Sequence, residues 1–305
     1  METTSADLIE SATTELLEQG IQKKNSQFKL MCKRYARNKL AVVSLFIMLV
    51  LMTAILSAPL YISYDRVIAQ NIANRFQLPG TPGHIFGTDQ FGRDLFARVM
   101  YGGRISLFAG LVSISMSFSV GLILGGISGY FGGKIDTVIM RFCDILIAVP
   151  GLLLAMAIVA ALGQGLFNML IALSISAMPG QARMVRSCVM TLQNQEYVES
   201  AKTYGSKTPR ILIRHILPNI IGPLIIGVAM DLGSTILRIA GLGFLGIGIA
   251  SPIPEWGTII SENQVNIRFY PHLGIVPGLF IMVSVMSLSF IGDGLRDALD
   301  PKMKK

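Results

Sequence analysis

Six apolar runs decide what this chain can become: roughly 40–62, 105–131, 138–162, 164–182, 219–249 and 273–293. A helix needs about 20 mostly apolar residues to cross a bilayer, and each run is close to that length or beyond it. The third and fourth are parted only by Gly163, Gln164 and Gly165. A single block from 138 to 182 is too long for one span, and Asn168 near its middle also favours two helices with a tight turn. Composition agrees: 52% of the 305 residues are hydrophobic and 14% charged, where soluble domains carry about 25% charged residues. An all-α membrane protein with six transmembrane helices is expected.

The net charge of +8 is read as orientation rather than nucleic-acid binding. No aromatic-interleaved basic patch or zinc spacing accompanies it. Lys and Arg accumulate on the cytoplasmic side of membrane proteins. Taking loops alternately, one side holds seven (1–39), two (Lys134, Arg141), six (183–218) and four (the C-terminal end). The other side holds five (63–104), none and one (Arg268), with Arg238 inside a span. Both termini and the 183–218 loop should therefore be cytoplasmic. Tyr61, Tyr64, Tyr101, Tyr130, Trp256 and Tyr270 fall where interfacial aromatics belong. Residues 1–27 are polar, so no cleavable signal peptide is expected. Cys32, Cys143 and Cys188 are odd in number and scattered, which implies neither a disulfide framework nor a metal cluster.

Ser113, Ser117, Gly121, Gly125, Gly129 and Gly133 recur every four positions along the second run. Such a stripe lets another helix approach closely. GLGFLGIG, 241–248, has the spacing of a dinucleotide fingerprint but lacks the strand and soluble βαβ unit that the fingerprint needs. Close packing or a flexible helix end is the reading there. No P-loop, H-E-x-x-H or G-x-S-x-G occurs, so no enzyme is indicated.

Ionisable residues within a span are costly and usually face an interior or a pathway. Asp231 and Arg238 lie seven residues apart on one face of the fifth run, about 10 Å along the axis. That is too far for an easy direct pair, so each needs another partner or water, and both are candidate pathway-lining residues. Arg141 and Asp144 are spaced for a local ion pair. Asp89 and Arg93, with Phe91, Leu95, Phe96 and Val99, suggest an amphipathic helix at the outer interface. In PIPEWG, Pro252 and Pro254 stiffen a loop that Trp256 is placed to anchor at headgroup level.

Between the fourth and fifth runs stands EYVESAKTYGSKTPRILIRHILPN, residues 196–219. Glu196 to Tyr204 suits a helix, and Gly205 suits the left-handed position beyond its end. Thr208 serves as N-cap of a second helix with Pro209 at its first position. This predicts a compact helix–turn–helix knob.

Here a resemblance emerges. Glu199, Ser200, Ala201, Gly205, Leu217 and Pro218 match the EAA loop of permease subunits of binding-protein-dependent ABC importers. Ser200 replaces the usual second residue, and His215 stands where Ile is common. FGTDQFGRDLFARVMYGGRISLFAG (86–110), GYFGGKIDTVIMRFCDILIAVP (129–150), GFLGIGIASPIPEWGTII (243–260) and GDGLRDALDP (292–301) resemble stretches of the dipeptide, oligopeptide and nickel permeases, as does 28–52. The chain resembles their second, C-type permease.

The resemblance implies a type I ABC importer permease fold in a bacterial or archaeal cytoplasmic (inner) membrane. Its parts would be a cytoplasmic tail (1–39), a first helix with outer loop (40–104), a transmembrane core (105–293) carrying the coupling loop 183–218, and a C-terminal tail (294–305). Partners would be a second permease subunit, two cytoplasmic ABC ATPase subunits and an extracytoplasmic substrate-binding protein. ATP would be used by those ATPases, with no cofactor bound by this chain. MDLGSTILRIAGLGFLGIG (230–248) leans toward nickel-type permeases through Asp231, Gly233 and Arg238, although no Cys/His cluster is present to hold a bare ion. The alternatives are a secondary transporter working without an ATPase, for which no inverted repeat is visible, and a structural or receptor-like membrane protein, which would need no pathway charges.

Overall fold

A computed structural model describes residues 29–299. Residues 29–37 are helical; beside the short helices Ala58–Tyr61 and Tyr64–Ile68, ten helices follow: α1 Lys39–Leu56, α2 Leu95–Phe131, α3 Gly133–Ile147, α4 Gly151–Leu162, α5 Leu166–Leu192, α6 Glu196–Thr203, α7 Thr208–Ile211, α8 Leu217–Phe244, α9 Trp256–Asn263 and α10 His272–Leu299. No named strand occurs among the described residues, only the bridges Thr81–His84 and Thr88–Asp94. Three starts are capped by side chains: Asn38 accepts from Ala41 N–H, Asp94 from Ala97 N–H, and Glu255 from Gly257 and Thr258 N–H.

Four helical stretches are long and apolar enough to cross a membrane: Lys39–Leu56, Leu95–Phe131, Thr208–Phe244 and His272–Leu299. A fifth exists if α3 and α4 are taken together, but they meet at 87°. The expected straight span 138–162 is therefore broken. Pro150 lacks an N–H and disfavours helix at Val149 before it, so the chain turns there. The fourth expected span, 164–182, lies in α5, which at 27 residues is about 40 Å long. Asn168, Gln181, Arg183 and Arg186 leave it less apolar than the others, and the last three bond to neighbouring helices.

The stripe on α2 is the packing seam for α5. A Cβ on Gly121 would stand 2.6 Å from Gln181 Cβ, and one on Gly129 would stand 2.8 Å from the Arg186 carbonyl oxygen. A Cβ on Gly125 would overlap the Ala182 carbonyl oxygen. Close backbone approach drives helix association in lipid, and here it runs over two turns. Gly133 leaves the seam: it opens α3 with φ +55° and open space around its Cβ position. The α3–α5 contact is ionic instead. Arg186 grips Asp136 with Nε at 2.5 Å and Nη2 at 2.6 Å. Asp144 pairs with Arg183 at 2.6 Å, while the expected local partner Arg141 stays at 3.9 Å.

Two expectations for the 57–94 and 245–271 connections fail. Asp89 and Arg93 do form an ion pair at 2.6 Å, but not on an interfacial helix. Residues 86–94 are turns, with Asp89 N–H bonded to Arg93 C=O, and helix begins only at Leu95. The pair is buried, so the i, i+4 spacing served a turn. Trp256 is fully buried rather than at an interface. Its indole N–H donates to Val99 C=O at 2.9 Å, and its ring packs near Gly103 and Phe280. A buried Trp is satisfied by such a bond, and α9 is thereby inserted against α2.

Between α7 and α8, Leu212–Ile216 winds as a π-helix, with Leu217 N–H reaching back to Leu212 C=O. The path from 208 to 244 is otherwise continuous helix.

Candidate functional site

The predicted knob exists. Glu196 and Glu199 fall in the first turn of α6 and Lys202 in the last, signs that suit the helix dipole. The helix stops where Gly205 takes φ +76°. Gly205 N–H then bonds Lys202 C=O at 2.9 Å and Ser206 N–H bonds Ala201 C=O at 3.0 Å, the paired bonds of a Schellman end. The N-cap position of the second helix is Lys207, one residue earlier than expected and without a side-chain capping bond, with Thr208 and Pro209 inside its first turn.

Val198, Ala201, Ile211 and Ile216 of the knob form one buried cluster with Val185 and Val189 of α5 and Ile220 and Leu224 of α8. Each fully buried Ile contributes about 1.5–3 kcal/mol, so the knob is fixed to the helices beneath it. The six matched positions thus divide. Ala201 is buried and Leu217 half-buried in the cluster, while Glu199, Ser200 and Pro218 are exposed. Gly205 makes the turn. Tyr204, at 89% exposure, stands beside a surface cavity of about 420 Å³ lined also by Lys207, Pro209 and Arg210. The knob is thus a basic, two-helix projection packed against the base of α8.

Asp231 and Arg238 make no direct pair, as the spacing implied. Asp231 Oδ2 accepts from Gln181 Nε2 at 2.6 Å, linking α8 to α5. Arg238 Nη2 donates to Thr235 Oγ1 at 2.9 Å, and that hydroxyl donates to Asp231 C=O at 2.8 Å. The result is a polar ladder, Gln181–Asp231–Thr235–Arg238, that links α5 to α8.

A second polar centre was missed in the sequence. Arg98 Nη1 donates to Asp89 Oδ2 at 2.8 Å and to Glu262 Oε2 at 2.6 Å, and Arg93 Nη2 reaches the same Glu262 oxygen at 2.7 Å. Burial pushes the Glu262 carboxyl up, but Arg98 and Arg93 outweigh it and hold the group below the ordinary carboxylate range. Two turns before α9 ends, Glu255 caps its start. It accepts from Gly257 N–H at 3.0 Å, Thr258 N–H at 2.9 Å and Ser106 Oγ at 3.0 Å. Burial nonetheless pushes its carboxyl above the usual value, against those hydrogen bonds. Gly243 makes room for this carboxylate, and Gly246 (φ +73°) ends α8. GLGFLGIG is therefore a packing and helix-end device. Arg93, Arg98, Glu255 and Glu262 fasten α9 to the start of α2. A balanced set of acids and bases in apolar surroundings was the available signal.

Residues 121–305 match the family described as binding-protein-dependent transport system inner membrane component. Residues 26–79 match the N-terminal transmembrane domain of oligopeptide transport permease C. The chain is 45% identical over 272 residues to the dipeptide transport system permease protein of Alkalihalophilus pseudofirmus, covering 89% of each. It is 39% identical to the oligopeptide transport system permease protein of Bacillus subtilis, covering 89% of this chain and 88% of that one. The glutathione transport system permease protein of Pectobacterium atrosepticum is also 39% identical, with 89% and 90% covered. An inward-facing MetNI methionine ABC transporter structure superposes with a TM-score of 0.56 at 19% identity, over 68% of this chain and 98% of that one. That likeness concerns the fold, which is of the type I ABC importer kind.

Proposed function

The chain belongs to the family of binding-protein-dependent transport system inner membrane components, and we propose that it is one permease half of an ABC importer for small peptides. It is a multi-pass protein of the cytoplasmic (inner) membrane, and the ATP is hydrolysed by separate subunits. In this reading a second permease subunit completes the pathway, two ABC ATPases lie on the cytoplasmic side, and an extracytoplasmic binding protein delivers substrate. Both termini and the knob face the cytoplasm. The chain itself holds no cofactor.

The observation that carries the reading is the knob. Its buried face is packed against α5 and α8, and its opposite face, with Glu199 and Ser200, is exposed for docking. Movement of an ATPase surface is thereby delivered to the base of α8, the helix that bears Asp231 and Arg238. We assign those two residues to the pathway, and Gly205 to the turn that sets the docking angle. A transporter working without an ATPase would leave this projection without a task.

Dipeptides, longer peptides and glutathione are the substrate classes that the relatives' names support. The lean toward nickel finds no support there, and no group of three or more His, Cys, Asp or Glu among the described residues is placed to hold a metal ion.

The test is uptake by the complete complex in proteoliposomes, offering dipeptides, a longer peptide, glutathione, and nickel with and without chelators. ATP-dependent peptide uptake is expected. Stable transport by this chain alone, without ATP, would overturn the reading.

A further inference from the structure

On the α8 face that carries Arg238 there is a cavity of about 440 Å³, walled by Leu152, Gly241, Phe244, Ile260 and Ile281 among others. That volume lies in the range of small-molecule sites. Four separate helices, α4, α8, α9 and α10, supply its walls, and Arg238 is the only charged residue in the lining. Its guanidinium is under-satisfied. Nη2 has the Thr235 hydroxyl, while Nε is buried with no acceptor. The nearest carboxylate along the helix, Asp231, has Gln181 on its Oδ2 and lies about 10 Å away along the axis.

A charge placed in such surroundings is expensive in a membrane protein and is characteristically functional. Its chemistry is specific: the planar guanidinium fork matches a carboxylate bidentately, which a point charge does not. The apolar remainder of the cavity accepts side chains of differing shape without demanding any one of them. No free carboxylate lines the cavity to receive an ammonium group.

We propose that Arg238 is a specificity residue that recognises the C-terminal carboxylate of the transported peptide. This rests on the reading of the chain as a peptide permease. The carboxylate is the one anionic group that peptides of every sequence share, so a single arginine in an apolar cavity selects for peptides while tolerating their side chains.

The experiment uses the reconstituted complex with its binding protein and compares ATP-driven uptake of Ala-Ala, Ala-Ala amide and Ala-Asp amide. The last carries only a side-chain carboxylate. Because the binding protein is the same throughout, changes in the ratios between variants report on the permease. Arg238→Gln is expected to lower the ratio of Ala-Ala to Ala-Ala amide uptake by about 10-fold or more, as loss of a charge-assisted pair implies. Arg238→Lys, which keeps the charge without the fork, should fall between. An unchanged ratio in either variant overturns the inference while leaving the peptide reading intact. Uptake of Ala-Asp amide that depends on Arg238 as strongly as that of Ala-Ala overturns the C-terminal assignment. A wild-type complex that moves no peptide with ATP overturns the peptide reading itself.

Discussion

Arg98 and Glu262 stand 164 residues apart in sequence and 2.6 Å apart in space. The contact ties the first turn of the longest helix to the end of the short α9, and Asp89 and Arg93 complete a neutral set of four. Removing one member of a buried set leaves an uncompensated charge, which costs about 3–5 kcal/mol. Glu262→Leu should therefore lower the melting temperature of the purified protein sharply. Arg98→Met added to it should recover much of the loss, because Arg93 and Asp89 remain as a balanced pair. A double variant no more stable than the single one would contradict the charge-balance account.

At Gly205 the strain is purely conformational. No atom lies within 4 Å of the position its Cβ would take, yet φ is +76°. Gly205→Asn should be tolerated, whereas Gly205→Val should cost about 1–2 kcal/mol locally. The expected readout is fewer peptides moved per ATP, or lost assembly with the ATPases. A valine variant that assembles and transports normally would disprove the turn geometry.

Gly125 fails for the opposite reason. Its φ is ordinary, but a methyl group there meets the Ala182 carbonyl oxygen and Val185 Cβ at 2.8 Å. Gly125→Ala must push α2 and α5 apart, and overpacking of this kind costs about 1–3 kcal/mol. Gly126→Ala, one residue on and facing open space, is the control and should be near neutral.

Glu255 gives the protein a pH dependence of definite sign. Its folded-state pKa is raised by burial, so between the ordinary and the raised value the folded chain holds a proton that the unfolded chain has released. The associated stability is complete below the ordinary carboxylate pKa and is lost as pH rises through the raised value, by at most about 1.4 kcal/mol per pH unit. Glu262, whose pKa is lowered, acts only at more acid pH. Melting temperatures measured upward from about pH 5 should decline in the wild type, and Glu255→Gln should flatten that decline. Parallel profiles would remove Glu255 as the cause.

What could be read beforehand followed from how local each signal is. Gly205 was legible because a left-handed residue after a helix is set by its immediate neighbours, and the α2 stripe because its period lies within one helix. The break at Pro150 was equally local and was overlooked inside an apolar run that looked continuous. Trp256 and the Asp89–Arg93 pair were misplaced for a different reason. An indole suits an interface or a core, and i, i+4 charges suit a helix or a turn, so only the tertiary partners decide. Those partners, Val99 for Trp256 and Glu262 for Arg93, lie 157 and 169 residues away. For Asp231 the spacing excluded a direct bond to Arg238 but gave no hint of Gln181, which α5 brings from 50 residues upstream.

The π turn at Leu212–Ile216 has a consequence for phase. An α-helix advances about 100° per residue, and a π turn carries one residue more than its α counterpart. The azimuth of Thr208–Ile211 relative to Arg238 is thus offset by that one residue from what an unbroken α-helix would impose. Deleting a single residue there would close the π turn to an α turn and keep the knob's azimuth, whereas deleting one from the regular helix beside it would swing the knob about 100° around the α8 axis. The docking face and the cavity face of one polypeptide rod are held in register by one surplus residue.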